Sequence, residues 1–61
     1  MIPKYSIRAY EGGEVVESAA TGRAGAAIKI ANKFLTMYQQ VDLYEYKGMR
    51  EGIAMYERIP V

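Results

Sequence analysis

The stretch YSIRAYEGGEVVES, residues 5–18, contains two short runs of strand-forming side chains around a Gly-Gly pair. Gly-Gly between two such runs is a strong signal for a two-residue hairpin turn, because glycine readily takes the positive φ that both central positions require. We therefore predict antiparallel strands over residues 4–10 and 14–20, joined by Gly12 and Gly13.

This turn also predicts which side chains share a face of the hairpin. With two central glycines, Tyr10 lies opposite Val15, and Arg8 lies opposite Glu17 as a pair of unlike charges. One face is then mostly apolar and is the predicted core face; it carries Tyr5, Ile7, Ala9, Val16 and Ala20. The other face carries Ser6, Arg8, Tyr10, Val15 and Glu17.

Residues 21–40 change from a period of two to the period of a helix. Their apolar side chains recur at i, i+3, i+4 and i+7, which is typical of one stripe of an amphipathic helix. The stripe consists of Ala24, Ala27, Ile28, Ala31, Phe34, Leu35 and Tyr38. Thr21 and Ser18 are the candidate caps of its first turn. We expect this stripe to pack on the core face of the sheet.

Two further strands are predicted over residues 41–47 and 53–59, joined by a loop over residues 48–52 with glycine at each end. Alternation adds Val41, Leu43, Ile53, Met55 and Ile59 to the core face. It gives the opposite face Asp42, Tyr44, Tyr46, Ala54, Tyr56 and Arg58. Glu45 and Glu57 interrupt the core face, and we expect them to mark where that face meets water.

The order of these elements predicts an α+β fold of the ββαββ type, with one helix on one face of a four-stranded antiparallel sheet. The strand order 2-1-3-4 makes every neighbouring pair antiparallel and lets the helix cross over one strand in the usual right-handed sense. A chain of 61 residues forms a single domain, here residues 1–61, and one this small buries a modest core.

The hairpin YSIRAYEGGEVVES, the helix start TGRAGAAIKIA and the strand VDLYEYKG together resemble the small strand-strand-helix-strand-strand domains of bacteria and phages. The resemblance covers most of the chain and consists of the order and pattern of the elements. It implies the ββαββ fold. Such domains mostly have no assigned activity, so the resemblance leaves the function open.

Composition excludes several kinds of chemistry. The chain has no Cys and no His, which removes disulfides, conventional zinc sites and the usual nucleophile and base pairs. The carboxylate pairs Glu11 with Glu14 and Glu45 with Glu57 are more typical of a solvated surface, because one helix on a sheet leaves little volume for a deep pocket. We therefore expect no enzyme activity, no catalytic residue, no metal and no cofactor.

Net charge and hydropathy exclude few classes of binding partner. No apolar run reaches the roughly 18 residues that span a bilayer, so we expect a soluble cytoplasmic protein with no membrane partner. The net charge of +1 is too balanced to indicate a dedicated DNA-binding protein.

The candidate site is the sheet face that a single helix cannot cover. Its predicted binding residues are Tyr10, Tyr44, Tyr46, Tyr56, Arg8 and Arg58. Exposed tyrosine with arginine is suited to a protein interface, with an unknown protein or with a second copy as a homodimer. The runner-up is single-stranded nucleic acid, whose bases stack on such rings, although Asp42 and Glu17 on the same face argue against it. The plainer alternative is that tyrosine is simply a good strand residue.

Overall fold

The sheet of this protein has four antiparallel strands, and one helix lies against it. A computed structural model describes residues 2–61. The elements are β1 (Tyr5–Glu11), β2 (Glu14–Thr21), α1 (Ala24–Leu35), β3 (Gln40–Arg50) and β4 (Ile53–Ile59). The strand order is β2-β1-β3-β4, so α1 connects β2 to β3 past β1. The predicted ββαββ fold and the predicted strand order are confirmed.

The first turn has the predicted geometry. Gly12 has φ 59° and Gly13 has φ 83°, and Glu11 pairs with Glu14 on either side of them. Positive φ at both positions is the conformation that glycine adopts at little cost, so the Gly-Gly pair determines where the chain reverses.

A β-bulge in β2 changes the register beyond this turn. Tyr10 pairs with Val15 as predicted, but Ala9 pairs with Glu17, so Val16 is the extra residue. The predicted pairing of Arg8 with Glu17 is therefore wrong, because Arg8 pairs with Ser18. One inserted residue moves every following side chain to the opposite face.

The bulge also corrects the predicted core face of β2. Val16 is half exposed and Ala20 is exposed, whereas Ala19, which pairs with Ile7, packs against the core. Glu17 moves to the face that carries α1.

The helix is shorter than the predicted segment. It begins at Ala24, and the Thr21 hydroxyl accepts a hydrogen bond from the Arg23 backbone N–H at 3.3 Å, so Thr21 stabilises the turn before the helix. Arg23 occupies the cap position without a side-chain cap. At the other end the Thr36 hydroxyl donates to the Lys33 carbonyl at 2.7 Å. A threonine hydroxyl thus bonds to a backbone group near each end of the helix.

The core lies between α1 and the two central strands. Its buried residues are Ile7, Ala9, Ala27, Ala31, Phe34, Val41 and Leu43, with Tyr5, Ala19, Ile30, Tyr38 and Ile59 packed around them. Three members of the predicted stripe, Ala24, Ile28 and Leu35, are exposed. The reason is the position of the helix: within residues 2–61 it contacts β1, β2 and β3 but not β4. The side of α1 that carries Ile28 and Leu35 therefore has no strand packed against it.

The second hairpin differs from its prediction in one respect. Residues 48–50 belong to β3, and the turn consists of Glu51 (φ 52°) and Gly52 (φ 80°) alone. Tyr46 pairs with Tyr56 and Gly48 pairs with Met55, so Lys47 is the extra residue of a second bulge. The predicted five-residue loop is therefore wrong, because Gly48, at φ 112°, accommodates the bulge and not a loop.

This hairpin projects beyond the rest of the sheet. β1 starts at Tyr5, opposite Glu45, and the Tyr46 backbone N–H bonds to the Lys4 carbonyl at 2.7 Å. Past this point only β3 and β4 remain, as a two-stranded segment over residues 46–56 that we call the ribbon. Ile53 and Met55, predicted to be in the core, lie on the ribbon and are exposed.

Candidate functional site

The six predicted binding residues share the sheet face opposite α1, which we call the open face. The strand pairings bring them together: Arg8 lies opposite Asp42, Tyr44 opposite Arg58, and Tyr46 opposite Tyr56. Tyr10 follows Arg8 on the same side of β1, because alternate residues of a strand point the same way. On β1, β3 and β4 the open face includes Ser6, Arg8, Tyr10, Asp42, Tyr44, Tyr46, Ala54, Tyr56 and Arg58, and on β2 it includes Val15, Ser18 and Ala20.

Tyr44 is held at the centre of this face. The guanidinium carbon of Arg8 lies 5.9 Å from the centre of its ring, within cation–π range. Its hydroxyl donates a hydrogen bond to Asp42 Oδ2 at 3.2 Å. Partial burial, followed by the charge of Asp42 and this hydrogen bond, raises the pKa of Tyr44 above its ordinary value. Tyr44 therefore stays a neutral donor with a restricted ring orientation.

Asp42 links Tyr44 to Arg58. It is buried, with 6% of its surface exposed, and Arg58 Nη2 lies 3.1 Å from its Oδ1. Oδ1 accepts no hydrogen bond from the described residues, so its contact with Arg58 is an ion pair alone. Because the Arg58 side chain is 65% exposed, water and salt screen the pair and its contribution to stability is small. Asp42 mainly orients the two side chains.

Tyr46 and Tyr56 form a cross-strand aromatic pair. Their ring centres are 5.6 Å apart at an interplanar angle of 60°, an edge-on arrangement worth about 0.5–1.5 kcal/mol beyond burial. Tyr56 nevertheless remains 45% exposed. The pair therefore contributes to the sheet and still offers aromatic surface to a second molecule.

A shallow depression of about 280 Å³ lies on the open face, lined by Ser6, Arg8, Tyr44 and Tyr56. Its volume is slightly below the range of small-molecule sites, and it is open to solvent. A depression of this size accommodates one large side chain or one base.

The charge of the open face differs from the prediction. Glu17 was expected there but lies on the helix face, where the Tyr38 hydroxyl donates a hydrogen bond to its carboxylate. That hydrogen bond is the main reason why the pKa of Tyr38 is raised. Among the described residues the open face thus has Arg8, Arg58 and Asp42 as its charged groups. Sequence reasoning missed this change because nothing in EVVES indicates a bulge.

Asp42 was placed on the open face by alternation, but its organising role was not predicted. The available signal was an acidic residue between Val41 and Leu43, both of which are buried. An acid in such a position needs partners, and Tyr44 and Arg58 provide them.

A separate charged cluster lies on the opposite face, at the base of the ribbon. Glu45 contacts both Lys4 and Lys47 at 3.3 Å, and Lys47 also lies 3.6 Å from Glu57. The hydrogen bond from Lys4, together with the neighbouring Lys47, lowers the pKa of Glu45. The cluster lies where the apolar face was predicted to meet water.

Residues 2–61 contain no group of three or more His, Cys, Asp or Glu side chains arranged to hold a metal ion. No helix in the described part of the chain is long and apolar enough to cross a membrane. Comparison of the chain with protein-family models, with curated proteins and with solved structures finds no match.

Proposed function

We propose that this chain is a non-catalytic interaction module that binds a protein partner through the open face. The observation that carries the proposal is the combination of exposed and restrained side chains around the 280 Å³ depression: Arg8 and Tyr56 are exposed, and Tyr44 is held by Asp42. A small cytoplasmic accessory or inhibitor protein of the phage type would fit this description.

The restraint on these side chains supports binding. Association costs conformational entropy for each side chain that it immobilises, and a ring already held by a hydrogen bond and a neighbouring cation has less freedom to lose. Tyr and Arg are also the side chains most enriched at interface hot spots.

Simple filling of a sheet surface accounts for part of this arrangement, because Tyr46 and Tyr56 do pack on each other. It does not account for the depression between Arg8 and Tyr56, whose side chains border a space that neither fills. An interface partner with a large protruding side chain would occupy that space.

Single-stranded nucleic acid is the second candidate, favoured by the position of Glu17 on the other face. The open face then has two arginines and one acid. Arg58 is already paired with Asp42 at 3.1 Å, which leaves Arg8 as the cation available to a phosphate. One available cation predicts weak binding with a shallow salt dependence, so a protein partner is the better match.

The test compares Arg8→Ala and Tyr56→Ser as separate variants, with Met37→Ser as the control, because Met37 is 53% exposed and lies outside the open face. The immobilised chains are incubated with lysate, and each captured protein is titrated against all three variants. We expect both open-face variants to weaken binding at least tenfold, in the hot-spot range, and the control to bind normally.

Equal binding of every captured protein to all three variants would contradict the proposal. Loss with Tyr56→Ser alone would confine the contact to the β4 side of the open face and would contradict the role given to the depression between Arg8 and Tyr56. A labelled single-stranded oligonucleotide, titrated at low and moderate salt, completes the test. Micromolar binding that Arg8→Ala abolishes would favour nucleic acid instead.

A further inference from the structure

The two outer strands of the sheet differ in continuity. β2 is interrupted by the bulge at Val16, whereas every residue of β4 from Ile53 to Ile59 pairs in turn with β3. A bulge on an edge strand is one of the devices that discourage pairing with another chain, because it disrupts the row of backbone donors and acceptors. β4 lacks that protection, since the second bulge lies on its neighbour β3.

The surface around β4 is also less covered than the rest. Within residues 2–61, α1 does not reach β4, and Ile53 and Met55 are 64% and 43% exposed. The radius of gyration is 11.7 Å, against about 10.5 Å expected for a compact chain of this length. The accessible surface is 4403 Å², against about 4,000 Å² expected for this mass. The chain thus exposes more surface than a compact monomer, and its projecting ribbon includes part of β4.

We propose that a second copy of this chain pairs with β4 in antiparallel orientation, about a two-fold axis at Tyr56. The two sheets then form one continuous sheet of eight strands with both helices on the same side. Such an interface uses the same patch of both copies and closes at two.

Charge and the extent of β4 select this register. With the axis at Tyr56, Ile53 lies opposite Ile59 of the second copy and Ala54 lies opposite Arg58 of the second copy. Moving the axis by one residue toward the C-terminus places Glu57 against Glu57, and by two residues places Arg58 against Arg58; like charges directly opposite destabilise a sheet. The axis at Tyr56 sets Met55 opposite Glu57 of the second copy, but Tyr56 is the middle residue of β4 (Ile53–Ile59), so every residue of the strand gains a partner. Moving the axis by one residue toward the N-terminus leaves Arg58 and Ile59 opposite the turn at Glu51 and Gly52.

The same register joins two complementary surfaces. A depression of about 490 Å³ lies beside the end of β4, lined by Leu35, Gln39, Gln40, Val41, Arg58, Pro60 and Val61. The ribbon tip of the second copy, with its exposed Ile53, reaches this end of the strand because Ile53 pairs with Ile59. Each copy therefore covers the exposed Ile53 of the other. An isolated two-stranded ribbon has no such cover and is only marginally stable.

This inference does not depend on the proposed function, because it concerns the backbone edge of β4 and not the side chains of the open face. If both hold, the Tyr46 and Tyr56 pairs of the two copies lie side by side, and the dimer presents a doubled open face.

The absence of cysteine from the chain makes the test selective, since a single introduced thiol can form a disulfide only with a second copy. Tyr56→Cys places the two thiols at the axis, within disulfide range. Ile53→Cys is the control on the same strand, because its two thiols are roughly 20 Å apart in this register. Val16→Cys is the control for the β2 edge. The unaltered protein is sedimented in parallel, and circular dichroism checks the fold of each variant.

We expect the unaltered protein to sediment at twice 6.8 kDa at micromolar concentration. We expect Tyr56→Cys to cross-link at least about tenfold faster than either control under mild oxidation, because pairing raises the effective thiol concentration. A protein that stays at 6.8 kDa up to millimolar concentration would overturn the proposal. So would a dimer in which Ile53→Cys or Val16→Cys cross-links as fast as Tyr56→Cys.

Discussion

The two hairpins of this protein are built from the same local elements and differ in where those elements lie. Each reverses through two residues with positive φ, Gly12–Gly13 in the first hairpin and Glu51–Gly52 in the second, and each contains one bulge. In the first hairpin the bulge lies on the outer strand, β2. In the second it lies on the inner strand, β3, and the outer strand β4 is regular.

The two hairpins differ in which strand contains the bulge and in how much of the hairpin α1 covers. The first hairpin lies under α1 and contributes Ile7 and Ala9 to the core, and its outer edge is interrupted. The second contributes Val41 and Leu43 at its base, but its ribbon extends past the core and keeps a continuous edge. We infer that the first hairpin mainly stabilises the fold, while its Arg8 also borders the depression of the open face, and that the second hairpin provides the edge at which a second copy pairs.

The largest expected effect is that of removing the Phe34 side chain, which packs α1 into the core. Phe34 is 5% exposed, so Phe34→Ala should cost about 3–5 kcal/mol of unfolding free energy, enough to unfold much of a domain this small. Met55→Ala on the ribbon should cost less than about 1 kcal/mol, because surface substitutions usually fall near this range. Urea unfolding at low protein concentration measures both.

If Met55→Ala were as damaging as Phe34→Ala in the monomer, the ribbon would belong to the core and the comparison would be wrong. An unchanged urea midpoint in Phe34→Ala would instead mean that the helix packs through a different stripe.

A finer test compares the two turns. Gly13 has φ 83° and Gly52 has φ 80°, and neither has an atom within 4 Å of an added Cβ, so valine introduces backbone strain and no clash. The strain is about 1–2 kcal/mol at each site. Gly13→Val should lower the melting temperature of the whole domain. Gly52→Val should lower it less, because the ribbon can open locally while the core persists.

Amide hydrogen exchange distinguishes the two cases. Gly52→Val should speed exchange in residues 46–56 and leave β1 unchanged, whereas Gly13→Val should affect both hairpins. Equal losses of melting temperature from the two substitutions would show that the hairpins unfold as one unit.

The smallest expected effect is the loss of folding stability at low pH that comes from Glu45. The pKa of Glu45 is lowered in the folded chain, chiefly by its hydrogen bond from Lys4, so Glu45 stabilises the fold above its unfolded pKa near 4.5. That contribution is lost as the pH falls through the lower folded value. The unaltered protein should therefore lose more stability between pH 5 and lower pH than Glu45→Gln does, and the ribbon amides should show this first. Identical pH profiles would mean that neither Lys4 nor Lys47 pairs with Glu45 in solution.

The fold was predictable because its strongest signals are local. The Gly-Gly pair located the first turn, the helical period located α1, and antiparallel pairing selected the strand order. The turn and the helix depend on residues close together in the chain, where backbone conformation and side-chain period decide the outcome. The strand order followed from the few connections that keep every neighbouring pair antiparallel.

The two bulges were not predicted, and most of the errors follow from them. No glycine or other bulge signal adjoins Val16, whereas Gly48, next to Lys47, was interpreted as part of a loop although a glycine inside a strand pattern also indicates a bulge. The bulge at Val16 moved Glu17 to the other face, and the bulge at Lys47 turned a predicted loop into strand. The open face was nevertheless predicted, because β1 and the paired parts of β3 and β4 that form it keep their alternation.

The most direct test of pairing along β4 is amide hydrogen exchange of the unaltered protein at low micromolar and at millimolar concentration. We expect protection within residues 53–59 to rise with concentration, as the outward amides of β4 gain partners, while protection within residues 14–21 does not change. Concentration-dependent protection of β2, or none in either strand, would contradict it.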